Sequence, residues 1–313
     1  MKKLWYNLIL PLIPMVLWGS LFPFIKIGYE AFSIDQESVP DILVFAAMRF
    51  TVCGIIVCLI GAARKAPFAA DSKRGILWII ISGMFSIVLH YAFTYIGLTM
   101  TDSSKTALLK QLGALFYICF AFLFIKNERL SKYKFIGGIV GFLGIIAINF
   151  TGAGISFEVG DILIILASVC SVIATVLSKK CVEENNSPFW IVGISQLVGG
   201  AILFAAGIIM GGKIPTFTPL ALLVFAYICA SSIIAYVLFS VAQKYASNSA
   251  LFIIKFAEPL FACVFGAILL GENIFNLQYL LAFILISGGI ILGNRGAKTE
   301  NAPTTVNCSK KEN

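Results

Sequence analysis

Four basic side chains, Lys26, Arg49, Lys110 and Lys255, one acid, Glu258, and the single histidine, His90, stand inside long apolar stretches of this sequence. A charge at the centre of a membrane helix costs about 2.5–3.5 kcal/mol on insertion scales, so such residues are expected to face a bundle interior or a solute cavity. Lys255 and Glu258, three apart, share one helix face. Pro259 follows at once, withholding its own N–H and disrupting the bond to the carbonyl of Lys255. A carboxylate beside a freed carbonyl suits an ammonium group or a proton. Two readings stand: Lys255 and Glu258 neutralise one another as a structural pair, or Glu258 holds the positive end of a zwitterion, or the coupling proton. In the second, Lys255, Lys110 or Arg49 holds the negative end.

The other candidates carry their own alternatives. Lys26, at the outer end of the first span, can extend its stem to the headgroups. Arg49 either pairs with a loop acid or meets a substrate anion. His90 is a hydrogen-bonded interior residue or a proton carrier, its ordinary pKa of about 6.5 being suited to the latter. Trp18, Tyr91, Tyr95 and Tyr236 offer rings with an N–H or hydroxyl that can close over a small organic molecule, or they serve packing alone. Pro23 and Pro259 are candidate hinges.

What positions these residues must be membrane helices. The 313 residues are 59% hydrophobic with 27 Phe and only 12% charged, and mean hydropathy is +0.96, against about 25% charged in ordinary soluble domains. The net charge of +8 is spread between apolar runs rather than gathered on one solvated face, which argues against nucleic acid as a partner. Seven of eight cysteines lie in or beside apolar segments with no C-x-x-C pair, and Cys308 lies in the polar tail, so neither a disulfide framework nor a metal site is expected. The two N-terminal lysines and following apolar run lack a small-residue cleavage site, and more spans follow; the run reads as a retained first helix.

Ten stretches approach the roughly 20 apolar residues needed to cross a bilayer: 8–27, 42–63, 76–98, 104–125, 133–150, 161–178, 188–210, 218–241, 249–270 and 277–294. With the N-terminus inside, the inner segments hold seventeen lysines and arginines and the outer ones two, Lys105 and Lys213. By the positive-inside rule both termini are cytoplasmic and the chain is multi-pass in the cell membrane. Residues 295–313 are polar and aperiodic, a disordered tail.

The chain repeats itself. Glu128 ends the fourth span with Gly144 sixteen residues on, and Glu272 ends the ninth with Gly288 at the same distance; HYAFTYIGL (90–98) lies opposite AYVLFSVAQ (235–243), one residue out of register. An odd number of spans separates the copies, so they enter the bilayer oppositely. The expected fold is all-α, ten transmembrane helices in two inverted five-helix repeats, 1–150 and 151–294, with solute bound near the midplane between them. Lys110 and Lys255, each about six residues or 9 Å from a span end, then stand at mirrored depths as a cationic pair for a carboxylate or phosphate, or else reach their own interfaces. Gly137, Gly138, Gly141 and Gly144 follow the small-xxx-small pattern of close helix contact, within the chain or between protomers of a homodimer.

WGSLFPFIK (18–26), ALLKQLGALFYICFAFLFIKNERL (107–130) and ALFIIKFAEPLFACVFGAILLGEN (250–273) resemble the drug/metabolite transporter superfamily, EamA type, over roughly 8 to 294. Leu115 stands where the first repeat often has the proline matched by Pro259, Asn273 replaces the usual arginine after Glu272, and the sixth span lacks a tryptophan. The resemblance implies ten helices in two repeats and, most often, export of an amino acid or similar metabolite.

Without a nucleophile elbow, zinc motif or phosphate loop the sequence gives no support to an enzyme and implies no cofactor. The expected function is a secondary transporter of a small zwitterion or anion, coupled to protons and working by alternating access. Uptake or exchange of an organic or phosphorylated anion is the alternative within the same fold. A membrane scaffold or sensor is the alternative of another class.

Overall fold

The computed structural model describes residues 9–67, 73–113, 115–116, 132–151, 154–155, 157–183, 187–245, 257–274 and 276–300. Lys255, Glu128 and the tail from 301 lie outside them. Ten helical segments are described: α1 (Leu10–Ala31), α2 (Val39–Ala63), α3, α4 (Ser103–Lys110), α5 (Lys132–Asn149), α6 (Val159–Glu183), α7 (Pro188–Ile209), α8 (Pro219–Tyr245), α9 (Ala257–Leu270) and α10 (Leu277–Glu300). α3 is one rod in three parts, Lys73–Gly83, a π turn at Met84–Leu89, and His90–Thr99. A two-residue hairpin, Phe150–Thr151 with Gly154–Ile155, follows α5.

Polar residues set the helix starts. Ser38 accepts from Asp41 N ahead of α2, Ser187 from Phe189 N ahead of α7, Thr218 from Ala221 N ahead of α8 and Asn276 from Tyr279 N ahead of α10. Each satisfies an otherwise orphan N–H, and the prolines at 188 and 219 occupy first-turn positions where a missing N–H costs nothing. Gly211 and Gly271, at φ +90° and +67°, turn the chain after α7 and α9. Several expected boundaries move outward, α6 ending at 183 rather than 178 and α8 at 245 rather than 241. α1 runs to Ala31 rather than 27, because Tyr29 is wholly buried and helix packing outweighs the polar side chains that suggested an end. α10 runs to Glu300, so the first residues assigned to a disordered tail are helical.

Burial departs from that of a soluble protein in two respects, large apolar side chains on the outside and polar ones among the apolar core. Leu59, Phe142, Leu223 and Ile268 point outward, while Arg49, His90, Thr94, Gln196 and Ser232 are buried. Apolar side chains outside and polar ones inside suit a bundle solvated by lipid.

The packing has the symmetry of an inverted repeat. α2 lies along α7 and α5 along α10; α1 lies against α8 and α9, and α6 against α3 and α4. Exchanging the halves maps each of these pairs onto another or onto itself. Glycines let the self-paired seams close backbone to backbone. A Cβ on Gly54 would lie 2.5 Å from Leu197 N and 2.9 Å from Gly193 O; one on Gly200 would lie 2.8 Å from Thr51 N and 3.2 Å from Ala47 O. The partners 54 and 200, 51 and 197, and 47 and 193 are each 146 apart. In the second seam a Cβ on Gly144 would meet Ile286 N and Ala282 O, and one on Gly289 would meet Gly141 N and Gly137 O. Here 144 and 289, 141 and 286, and 137 and 282 are each 145 apart. Gly289, not Gly288, is therefore the counterpart of Gly144, correcting the alignment by the glutamates. Three of the four span-five glycines, 137, 141 and 144, meet α10 or Leu115 of the fourth span within the chain.

The change from 146 to 145 has a visible cause. α2 and α7 end 146 apart, at 63 and 209, and Tyr91 meets Tyr236 145 away. Between these points the first half holds one residue more, and α3 carries a π turn where its counterpart α8 is uninterrupted helix; a π turn holds one residue more than an α turn.

Candidate functional site

Tyr91 and Tyr236, 145 residues apart, join hydroxyl to hydroxyl at 2.8 Å. Counterparts that bond each other lie on the axis relating the two repeats, which marks the centre of the candidate site. Around them the sequence-selected residues converge. Trp18 of α1 meets the Tyr236 ring edge-on at 5.5 Å and the His90 ring meets Tyr91 at 4.6 Å. The Glu258 carboxylate lies close enough for its charge to act on both Tyr91 and Tyr236. Glu258 is in the first turn of α9, and α1 comes close beside it: a Cβ on Gly19 would lie 2.8 Å from Glu258 O and 2.9 Å from Ala262 N. Pro23 is inside α1 and Pro259 is buried beside Glu258.

Arg49 is 1% exposed. Its Nη1 donates to Tyr95 Oη at 2.6 Å, while Nη2 and Nε donate to Ser232 Oγ at 2.7 and 3.2 Å. The guanidinium also stands 5.0 Å from the Phe50 ring centre and 5.6 Å from that of Tyr91. Tyr95 is held in turn by Tyr29, whose hydroxyl donates to the Tyr95 carbonyl at 3.0 Å. The ion pairs among the described residues are Lys26 with Glu272 and Lys105 with Asp161, so Arg49 is stabilised there by hydroxyls and ring faces, not by a loop acid.

His90 joins two helices. Its Nδ1 is 2.7 Å from the carbonyl of Ala167 in α6, and its Nε2 is 3.3 Å from Lys110 Nζ. An ammonium has only donors, so Nε2 accepts and Nδ1 carries the proton it gives to Ala167. Lys110 also lies 5.2 Å from the Phe22 ring centre and 5.5 Å from that of Tyr91.

The burial pattern sorts the cluster into two layers. Trp18, Tyr91, Lys110, Tyr236 and Glu258 are half-buried, whereas Arg49, His90 and Tyr95 are buried behind them. The front layer offers a cation, a carboxylate, two phenols and an indole; the back layer supplies a fixed positive charge. Such a set can bind opposite charges at once. Sequence reasoning missed Ser232 and Phe22. The signal for Ser232 was its place one turn before Tyr236, which puts both on one face of α8.

The sequence model of the EamA-like transporter family matches residues 5–150 and 158–294. The chain is 25% identical to an uncharacterized transporter, YvbV, of Bacillus subtilis (strain 168), covering 92% of this chain and 91% of that one. It is 24% identical to an uncharacterized inner membrane transporter, YedA, of Escherichia coli (strain K12), covering 88% and 87%. A solved crystal structure superposes with a TM-score of 0.63 at 18% identity, over 95% of this chain and 99% of the other, which is a likeness of fold. One family model matches the chain twice, once in each half, and on these grounds the chain belongs to the EamA-like transporter family.

Proposed function

We propose that this membrane protein is a secondary active transporter of a small metabolite bearing an anionic group, an amino acid or close relative, exported by exchange with protons. The observation that carries this reading is the charged aromatic cluster gathered at the axis between inverted repeats, where alternating access brings a solute from either side. Lys110 takes the carboxylate end, with Arg49 adding positive field behind it. Glu258 takes the ammonium end or the coupling proton, and His90 orients Lys110 and offers a second proton site. Lys255, outside the described residues, is assigned the mirrored cationic role. Rocking of the halves uses Pro23 and Pro259 as bending points, and both termini are placed in the cytoplasm. The excess of Arg49 and Lys110 over Glu258 favours a second reading, uptake or exchange of an organic or phosphorylated anion.

Purified protein in liposomes, given a pH gradient and a labelled panel of amino acids and organic anions, is expected to accumulate members of the first class. Flux of anions alone would favour the second reading, and no flux of either would leave a scaffold or sensor. Glu258→Gln is expected to cut proton-driven accumulation by about tenfold or more with normal expression, since an amide cannot carry the proton. Lys110→Gln should weaken anions and zwitterions more than cations; equal loss for all classes would indicate a folding defect instead.

A further inference from the structure

At the bilayer face where α4 begins and α9 ends, one carboxylate ties the repeats together. The first N–H groups of a helix have no partner within it, and the N-cap of α4, Asp102, supplies no side-chain bond. Glu272, two residues past α9 and from the opposite repeat, supplies them. Its Oε1 accepts from Ser103 N at 2.8 Å, and its Oε2 from Ser104 N at 3.0 Å and Ser104 Oγ at 2.6 Å. The Glu272 side chain is 7% exposed, and Lys26 of α1 brings its Nζ within 3.9 Å.

The surroundings are shaped to this contact. Glu272 N donates to Gly266 O at 3.2 Å, folding the chain back over the end of α9. A Cβ on Gly266 would lie 2.5 Å from Glu272 Oε2 and 2.8 Å from Ser104 Oγ, so a larger residue would displace both. Cys263, one turn before Gly266, lies near Ser104. Tyr279 of α10 donates to Asp102 at 3.3 Å. Ser103, Ser104 and Thr106 have no exposed surface.

We propose that Glu272 is a latch that holds this face of the bundle shut and lets go once in each transport cycle. The inference rests on the transport reading, because alternating access requires the repeats to part at one face and then the other. α4 and α9 are counterparts, so the end of one separating from the start of the other is the movement that opens this face. The chemistry suits reversal. A carboxylate and a helix N-terminus at the bilayer surface exchange their mutual bonds for bonds to water when they part, whereas the same separation at mid-bilayer would strand both.

Two measurements test the latch. Ser104→Cys places a second thiol beside Cys263. Oxidation by copper phenanthroline should join them, two thiols giving one disulfide and two protons while two electrons pass to copper(II). With the bond confirmed by peptide mass spectrometry, liposome flux should fall about tenfold or more and return with dithiothreitol, since breaking the latch is then impossible without breaking a covalent bond. A disulfide that forms and leaves flux unchanged overturns the proposal, as does failure of the thiols to join. The second measurement needs no flux. In a chain whose only cysteine is Cys263, Glu272→Gln should speed modification by a charged, membrane-impermeant methanethiosulfonate by about tenfold, because an amide is a weaker acceptor for two helix N–H groups. An unchanged rate sinks the latch even in a protein that transports, whereas a faster rate in a chain with no measurable flux would leave the latch standing and remove the transport reading.

Discussion

Gly54→Leu should yield no monodisperse folded protein, while Gly288→Leu should yield protein indistinguishable from the parent. The first substitution places a Cβ 2.5 Å from Leu197 N and 2.9 Å from Gly193 O. Both neighbours are backbone atoms, which cannot rotate aside, so α2 and α7 would have to separate along a seam built on main-chain contact. Overpacking a core by a few methylenes costs about 1–3 kcal/mol when side chains can adjust, and here they cannot. Gly289→Leu should fail similarly, since its Cβ would meet Gly137 O at 2.5 Å and Gly141 N at 2.6 Å. Gly288 differs, having nothing within 4 Å of an added Cβ. Fluorescence-detected size exclusion of the three variants checks this, and the contrast between adjacent glycines is the informative part. Loss of Gly288→Leu with survival of Gly289→Leu would show that the seam is one residue out of place.

Arg49 separates a charge kept for function from one kept for folding. Arg49→Met should remain within about 2 kcal/mol of the parent in stability: it gives up hydrogen bonds to Tyr95 and Ser232 but also removes a buried cation with no carboxylate among its contacts. Transport of anionic solutes should nonetheless fall by about a hundredfold, the field behind Lys110 having gone. Arg49→Lys should behave oppositely in stability. A lysine retains the buried charge without the planar fork that serves Tyr95 and Ser232 together, so a loss of about 2–3 kcal/mol is expected. Thermal midpoints in detergent, read beside liposome flux, distinguish the cases. If Arg49→Met proves less stable than Arg49→Lys, the arginine is a structural residue.

The fold was legible because lipid imposes a coarse code. Apolar runs of span length, basic residues between them, and tyrosines at related positions in the two halves sufficed for the helices and their inverted arrangement. Register was harder to read. Nothing in Met84–Leu89 distinguishes a π turn from an α turn by composition, and the equal spacing of Glu128–Gly144 and Glu272–Gly288 singled out the wrong one of two adjacent glycines. The candidate site was legible where a residue violated the code, as Arg49, His90, Lys110 and Glu258 do. Its partners were not, because a serine or a carbonyl in a helix is unremarkable until a distant element approaches it: Arg49 and Ser232 are 183 positions apart, Ser103 and Glu272 169. Glu272 therefore read only as a marker of the repeat, and Lys26 as a residue that faces the bundle interior or reaches for headgroups, with no partner named for either.

The wide turn before His90 takes up the one residue by which the first half exceeds the second, so that Tyr91 still meets Tyr236 across the axis. Inserted into an ordinary helix, that residue would swing everything beyond it by about 100°. Deleting one residue from Met84–Leu89 should therefore leave His90, Tyr91 and Tyr95 facing their partners, on a helix wound as evenly as α8.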